Sequence, residues 1–480
     1  MLKKNSKVSV PLCVDLDGTL ISTDLFIESL ILSFRQSVYL GLRILLKALQ
    51  SRSAAKSIAA QKTSILIDQL PYNKDLITWL EKERKKGRRL VLATAAARLH
   101  AEAVANYLGL FDEIISSEEN INLKREKKRE IFVKRFGDKG FDYVGDSKAD
   151  LAVWRSARQA ILIDPSSSLE KKVRTIVPVA KVFRRQTEWK DWIHQVRIYQ
   201  WSKNLLLFLP VLGAHRISDP NTLMKAVFGF FCFCLFTSGS YVVNDLFGLQ
   251  SDRQHPTKQN RPIASGAIKV RRALMVVPLL ILPALFMAYF LSWRFFGWLC
   301  FYGVMETLYS IRLKELLMID VMLLAFLYIL RVVAGGAVTG IKVSFWLMAF
   351  SIFFFLSLAL LKRYVEVAQM GQQRVDMSDN CPVRGYRSDD EPTLRMLGIA
   401  SGYTAVLILA FYIDSDDVRA MYSNPRILWL LCPLLIYWIS RLWLLAGRND
   451  MHENPIVFVL SDKWSYLLGM IGLAIILIFA

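Results

Sequence analysis

The chain has 480 residues, 54% of them hydrophobic, and 61 Lys and Arg against 41 Asp and Glu leave a formal charge of +20. So apolar a composition excludes a disordered chain and leaves no reason to assign the basicity to a nucleic-acid partner. Basic loops between membrane segments account for both numbers, and the length allows about three average domains.

Charge is dense over residues 1–190, as in EKERKKGRR, whereas 204–480 holds one apolar run after another, so a soluble domain precedes a membrane domain. The start, MLKKNSKVSVPLCVDLDGT, lacks the apolar core of a signal peptide and is read as mature and cytoplasmic. The six Cys supply neither a disulfide framework nor a zinc set: Cys13 sits in a predicted strand, Cys232, Cys234, Cys300 and Cys432 sit in apolar runs, and Cys381 lies in a loop.

Four apolar runs that end in polar turns (KVSVPLCVDLDGT, RRLVLATAAA, FDYVGD and QAILIDP) alternate with helical, charge-rich stretches. That alternation predicts an α/β, Rossmann-like parallel sheet, whose ligands sit beyond the carboxyl ends of the strands. At the first such end Asp15 and Asp17 project to one side of an extended chain, Gly18 permits a tight turn and Thr19 follows. One carboxylate can attack and the other can shuttle a proton. Thr94 ends the second strand with a hydroxyl able to hold a phosphoryl oxygen, and the third ends in Gly145-Asp146-Ser147 with Asp150 close behind. Such hard oxygen ligands suit Mg²⁺. The residues between the first two ends exceed a simple crossover and predict a helical cap near 22–88. Its start, LFIESLILSFRQSVYLGLRILLKAL, combines a wide apolar face with Arg35, Arg43 and Lys47, and is read as a helix pair packed on itself, with a membrane-surface helix as the alternative.

DLDGT, the strand ending at Thr94, and GDSKAD resemble the first, second and fourth motifs of the haloacid dehalogenase superfamily, over roughly residues 8–170. The resemblance implies an aspartyl-phosphate mechanism: Asp15 as nucleophile, Asp17 as general acid and base, Thr94 on the phosphoryl group, and Asp15, the Asp17 carbonyl and Asp146 on Mg²⁺, with Asp150 beside them. Its phosphate-neutralising Lys falls in NLKREKKRE, where Lys128 is preferred to Lys124. This domain is assigned to 1–185.

Downstream, Trp189, Trp192, Ile193 and Val196 recur at helical spacing beside Lys190 and Arg197, predicting an interfacial linker helix over 186–203. The remainder, 204–480, reads as an all-α polytopic membrane domain. Runs near 204–220, 222–243, 273–292, 295–311, 316–341, 343–361, 395–413, 426–446 and 464–480 predict nine spans of roughly 20 residues each. Arg and Lys crowd the 2–3 and 6–7 loops, whereas the 7–8 loop reads DSDDVRA, which places the basic loops and the soluble domain together on the cytoplasmic side of a bacterial inner membrane.

The basic loops also hold acids. In YVVNDLFGLQSDRQHPTKQNRPIASG, Asn244, Asp245 and Asp252 can hold a metal ion while Arg253, His255, Lys258 and Arg261 can meet an anion, a mixture that suits a Mg²⁺-bound diphosphate or phosphosugar. Tyr309 and Lys314 in YSIRLK, Asp389 and Asp390 in RGYRSDDEP, Lys203 and Asn204 in RIYQWSKNLLLFLP, Lys362 after the sixth span and Arg331 within the fifth complete the candidates. These residues resemble the UbiA-type intramembrane prenyltransferase superfamily over essentially 195–480, and RIYQWSKNLLLFLP, DRQHPTKQNRPIASG and YSIRLKELLMIDV resemble its polyprenyl-phosphate (decaprenyl-phosphate) phosphoribosyltransferases. That resemblance implies transfer of phosphoribose from phosphoribosyl diphosphate onto a polyprenyl phosphate; the fusion, the shared cytoplasmic face, the phosphomonoester left on such a product and the apolar-basic cap lead us to expect that the soluble phosphatase then removes the 5-phosphate. Gly248 departs from the first acidic motif, which has Asp there. The alternative is an aromatic prenyltransferase using a polyprenyl diphosphate, fused to a phosphatase of unrelated substrate. The two sites are expected on separately folded domains, and nothing in the sequence sets the oligomeric state.

Overall fold

The computed structural model describes residues 10–117, 125–184, 189–373, 385–416, 424–451 and 462–476, together with 418, 422, 455, 458 and 459. The chain forms two compact units, Met1–Ile198 with Tyr241–Leu280, and Tyr199–Ser240 with Ile281–Ala480. This division differs from a cut at 203/204: the loop with the first acidic motif belongs to the same unit as the soluble domain.

The first unit is built on six parallel strands, β1 (Leu12–Val14), β2 (Leu90–Ala97), β3 (Glu113–Ser117), β4 (Asp142–Gly145), β5 (Ala160–Ile163) and β6 (Val179–Phe183), in the order β3-β2-β1-β4-β5-β6. The inner strands read as continuous apolar runs, LCV and AILI, because both faces are buried. After β1 the chain leaves the sheet for α1 (Leu25–Gln36), α2 (Val38–Gln50) and α3 (Arg52–Lys62), then returns through α4 (Lys74–Lys85). The helix pair expected over LFIESLILSFRQSVYLGLRILLKAL is present as α1 and α2, broken at extended Ser37; α3 follows after Ser51, and α4, though within 22–88, sends Leu76 and Leu80 into the core beside the sheet. Asp24 caps α1 and Asn73 caps α4, each accepting from first-turn N–H groups. Helices α5 (Arg98–Leu108), α6 (Glu126–Phe136), α7 (Leu151–Ser156) and α8 (Ser167–Arg174) complete the α/β alternation.

The predicted linker helix is shorter than 186–203. It is α9 (Trp189–Val196), ended by Arg197 at φ 57°, after which Ile198–Phe208 winds as a 3-10 helix. The predicted first span at 204–220 is likewise not a helix of membrane length. The 3-10 winding continues to Phe208, the short α10 (Leu209–Gly213) follows, and His215 at φ 52° turns the chain toward Asp219, whose carboxylate accepts from Asn221 N–H and the Thr222 hydroxyl.

Six helices among the described residues are long and apolar enough to cross a membrane: Pro220–Phe247, Val270–Leu291, Ile319–Thr339, Phe345–Gln369, Ser388–Ile413 and Pro425–Gly447. We label the first of these α11. Then follow α12 (Leu249–Gln254), α13 (Val270–Leu291), α14 (Trp293–Ile311), α15 (Ile319–Thr339), α16 (Phe345–Gln373) and α17 (Glu391–Ile413). The run at 295–311 corresponds to α14, a 19-residue helix that is less apolar because it carries Arg294 and Glu306. The run at 464–480 forms a helix over Lys463–Ala474. Of the nine predicted spans, six thus have helices of membrane length and composition among the described residues.

Candidate active sites

Asp15 follows β1, and its backbone N–H donates to Val144 O at 3.1 Å, so sheet hydrogen bonding itself fixes the position of its side chain. Asp15 Oδ1 accepts from Lys128 Nζ at 3.0 Å and Leu16 N at 3.0 Å. The same ammonium donates to the Tyr143 hydroxyl at 2.7 Å, and that hydroxyl donates to Asp150 Oδ1 at 2.8 Å. Ser147 donates from N and Oγ to Asp150 Oδ2 at 3.0 and 2.8 Å. Ligand oxygens of Asp15, Asp146 and Asp150 lie within 4.8 Å of one another. Gly18, at φ 77°, closes the cradle, since a Cβ there would stand 2.5 Å from Asp146 Oδ2. Three clustered hard oxygen donors at this spacing fit Mg²⁺.

Asp17 points to the start of the cap: its Oδ1 accepts from Leu25 N at 3.0 Å. Burial pushes the Asp15 carboxyl up to about 6 against the opposing Lys128, and pushes Asp17 up to about 8, with Asp24 adding to the rise. Thr94 is fully buried and its Oγ1 accepts from Ala96 N at 3.0 Å. Lys124 lies outside the described residues, whereas Lys128 is buried and paired.

The loop after α11 meets this site. Lys269 Nζ donates to Asp146 Oδ2 at 2.7 Å, and Arg253 donates from both terminal nitrogens to Glu28 of α1 at 3.0 and 2.7 Å, both side chains being buried. Arg253, expected to bind substrate, is thus a partner of the cap, and its Nε donates to Ala264 O at 3.2 Å. Asp245 accepts from Gln195 at 2.8 Å, Arg197 at 2.5 Å and Arg261 at 3.0 Å, while Arg261 also reaches Asp252 at 2.7 Å. Burial raises the Asp252 carboxyl and Arg261 opposes the rise. Asn244 and Lys258 are half-buried, and His255 Nδ1 stands 3.1 Å from Thr257 Oγ1. At Gly248 the helix breaks between α11 and α12, and a Cβ there would meet Asn244 O at 3.1 Å.

In the second unit Arg331 donates to Asn204 Oδ1 at 3.0 Å, Leu327 O at 2.6 Å and the Tyr302 hydroxyl at 2.7 Å, and lies over the rings of Phe233, Tyr302 and Tyr328. This intramembrane charge binds three helices together. Lys203 Nζ reaches Gln200 at 3.2 Å, Lys362 stands 3.9 Å from Glu366, and Tyr309 and Lys314 are half-buried. Asp390 accepts from Arg387 N at 2.8 Å, and Asp389 is exposed.

Sequence reasoning missed several residues. Tyr143 joins Lys128 to Asp150 but looks like one more apolar strand residue; Glu28 and Lys269 act across more than a hundred residues of chain. Asp320, fully buried, accepts from Tyr386 at 2.6 Å and pairs with Arg363. An acid and a base inside the apolar runs LLMIDVMLL and LLKRYVEV are the signal that could have found this pair.

The UbiA prenyltransferase family model matches residues 206–467. The chain belongs to that family. Residues 12–155 match the haloacid dehalogenase-like hydrolase family, so a UbiA-type transferase domain is joined here to a hydrolase domain of the phosphatase type in an integral membrane protein. An uncharacterized protein, y4nM, of Sinorhizobium fredii is 35% identical over 96% of this chain and 89% of its own length. Nodulation protein NoeC of Azorhizobium caulinodans is 32% identical, covering 59% of this chain and 91% of its own. Decaprenyl-phosphate phosphoribosyltransferase of Corynebacterium glutamicum is 34% identical over 180 residues, 36% of this chain and 54% of that enzyme. Prenyl phosphate or diphosphate lipids are the UbiA substrates, and both families use Mg²⁺.

Proposed function

We propose that the chain is a bifunctional enzyme whose transmembrane half transfers phosphoribose from phosphoribosyl diphosphate to a polyprenyl phosphate, and whose soluble half removes the 5-phosphate from that lipid. The observation that carries the hydrolase reading is the convergence of Asp15, Asp146 and Asp150 beside Lys128. The likeness to decaprenyl-phosphate phosphoribosyltransferase over 180 residues supports the transferase reading.

In the hydrolase, the Asp15 carboxylate attacks phosphorus, the ester P–O bond breaks, and Asp17 protonates the departing oxygen. Water then attacks the aspartyl phosphate, Asp17 takes its proton, and phosphate leaves with Asp15 restored. Lys128 and Thr94 hold phosphoryl oxygens, and the Asp150–Tyr143 pair holds Lys128 in place. Asp15, Asp146 and the Asp17 carbonyl, with Asp150 behind them, would hold Mg²⁺, which would supply positive charge against the phosphoryl oxygens.

In the transferase, an oxygen of the polyprenyl phosphate attacks the anomeric carbon as its bond to diphosphate breaks, and no covalent enzyme intermediate is needed. Asn244, Asp245 and Asp252 are the metal candidates. His255, Lys258, Arg261, Lys203, Asn204, Tyr309, Lys314, Lys362, Asp389 and Asp390 are the substrate candidates, with Arg253 and Arg331 reassigned to positioning. An apolar groove of about 720 Å³ lined by Trp293, Trp298, Phe301, Phe326 and Met348 suits an isoprenoid chain. The crowding of Arg and Lys in these loops supports a cytoplasmic face for the soluble half and residues 244–272 and 362–395.

Incubating membranes that carry the chain with labelled phosphoribosyl diphosphate and polyprenyl phosphate should move label into the lipid phase, and Asp252→Ala should stop it. Label that stays aqueous, with prenylation of an aromatic acceptor by a polyprenyl diphosphate instead, would replace this reading by the aromatic prenyltransferase one.

A further inference from the structure

Helix α2 carries an apolar face that its own domain does not cover. Val38, Tyr39, Leu42, Leu45, Leu46 and Leu49 are 65, 75, 47, 43, 62 and 81% exposed. At 100° per residue these six fall within one arc of roughly 120°. They are also six of the eight large hydrophobics exposed among the described residues 10–184, the others being Leu99 and Tyr107. The opposite face holds Ile44, which packs with Ala55 and Ala59 of α3, and Gly41, where the Phe34 ring lies so close that a Cβ would overlap it. So α2 is anchored to the cap on one side and presents a continuous apolar strip, about 20 Å long by helix rise, on the other.

The charges beside the strip are all of one sign. Arg43 and Lys47 lie on its flank, Arg35 precedes it at the end of α1, and no acid occurs in VYLGLRILLKALQ. An apolar strip flanked by cations is the composition of a helix lying in the interface of an anionic bilayer. The bilayer is at hand, because six helices of membrane length and composition occur among the described residues of the same chain.

We propose that α2 is a membrane-surface helix, buried to the depth of its Leu side chains in the headgroup boundary, and that it sets the mouth of the phosphatase site against the lipid surface. The link to the site is short. Helix α1 starts with Leu25 N–H held by Asp17 Oδ1 at 3.0 Å, it packs against α2, and only Ser37 separates them. A site so placed takes phosphomonoesters whose remainder is lipid-linked and disfavours those free in water. The inference deepens the proposed hydrolase reading and rests on it for substrate class, but not for the placement of α2.

Leu46→Cys and, as a reference, Gln61→Cys on the exposed end of α3 would be made in a full-length Cys300→Ser, Cys381→Ser background, labelled with an environment-sensitive fluorophore and reconstituted into phosphatidylcholine–phosphatidylglycerol vesicles. Position 46 should be blue-shifted and quenched by brominated acyl chains, and position 61 should report water. A water-like spectrum at 46 overturns the proposal. Cross-linking of position 46 between two molecules without lipid quenching also overturns it, in favour of a second copy of the chain as the occupant. Leu42→Ser, Leu46→Ser and Leu49→Ser combined should lower kcat/KM for a vesicle-borne phosphomonoester at least tenfold while leaving water-soluble p-nitrophenyl phosphate within twofold, and equal losses on both would contradict the role in presentation. If Asp15→Asn retains p-nitrophenyl phosphate hydrolysis, the hydrolase reading fails while the fluorescence result for α2 stands on its own.

Discussion

The carboxylates at the sheet edge and those of residues 244–252 belong to one folded unit, yet they are neutralised in opposite ways. Asp15, Asp146 and Asp150 face one another, with Lys128 on the first and Lys269 on the second, and burial still raises Asp15 and Asp146. Asp245 and Asp252 are each met by guanidinium, and Arg261 serves both. Like charges gathered in a buried cradle favour a divalent cation and an anionic phosphoryl group, whereas acids already bridged by Arg must exchange partners before they can hold either. On the proposed reading the hydrolase carboxylates are already gathered and only single ammonium partners, Lys128 and Lys269, have to be exchanged, whereas the acidic loop must open the Arg261 bridge between Asp245 and Asp252 on binding.

The strongest way to break this contrast is to remove the nucleophile. Asp15→Asn should lower Mg²⁺-dependent phosphatase activity by about 10³-fold or more, measured with p-nitrophenyl phosphate on the full chain, and wild-type turnover would end the aspartyl-phosphate reading.

An all-or-none labelling experiment sharpens the membrane side. Opposite-side reactivity of cysteines placed at Gln250 and Ser415 requires five crossings between them, so α14, a 19-residue helix about 28 Å long by helix rise, must span. Labelling from one side would leave α14 within the bilayer without crossing it.

The contact between the acidic loop and the cap is expected to have a large stability effect. Glu28→Gln leaves Arg253 buried without its counter-ion and should cost about 3–5 kcal/mol. The double variant Glu28→Met, Arg253→Met should recover much of it, as read from unfolding of the soluble half by circular dichroism.

A smaller effect follows from His100, which is buried and held down to about 4 by burial alone. Because the folded value lies below the unfolded value of about 6.5, the unfolded chain binds the extra proton as pH falls. Stability should then drop on the order of 2 kcal/mol between about pH 6.5 and pH 4, and His100→Leu should flatten that part of the thermal-midpoint profile.

Legibility in the sequence followed the range of the forces involved. The sheet, and the positions of Asp15, Asp17 and Asp146 after its strands, could be read because alternating apolar runs and strand-end acids are local patterns, and Lys128 lies in the first turn of α6; Thr94, expected to end the second strand, lies inside β2, which continues to Ala97. The broken run at 204–220 misled because hydropathy counts apolar residues without registering Pro210, Gly213 and the left-handed turn at His215. Lys269 looked like a loop charge that holds a membrane orientation and Arg253 like a substrate contact, and their partners Asp146 and Glu28, 123 and 225 residues away, leave no periodic trace.

The central claim, that the two halves act in sequence on one lipid, is tested most directly by mass spectrometry of the lipids formed from phosphoribosyl diphosphate and polyprenyl phosphate. Wild-type protein should accumulate the dephosphorylated ribosyl lipid and Asp15→Asn the phosphoribosyl lipid; the same lipid from both would contradict the account.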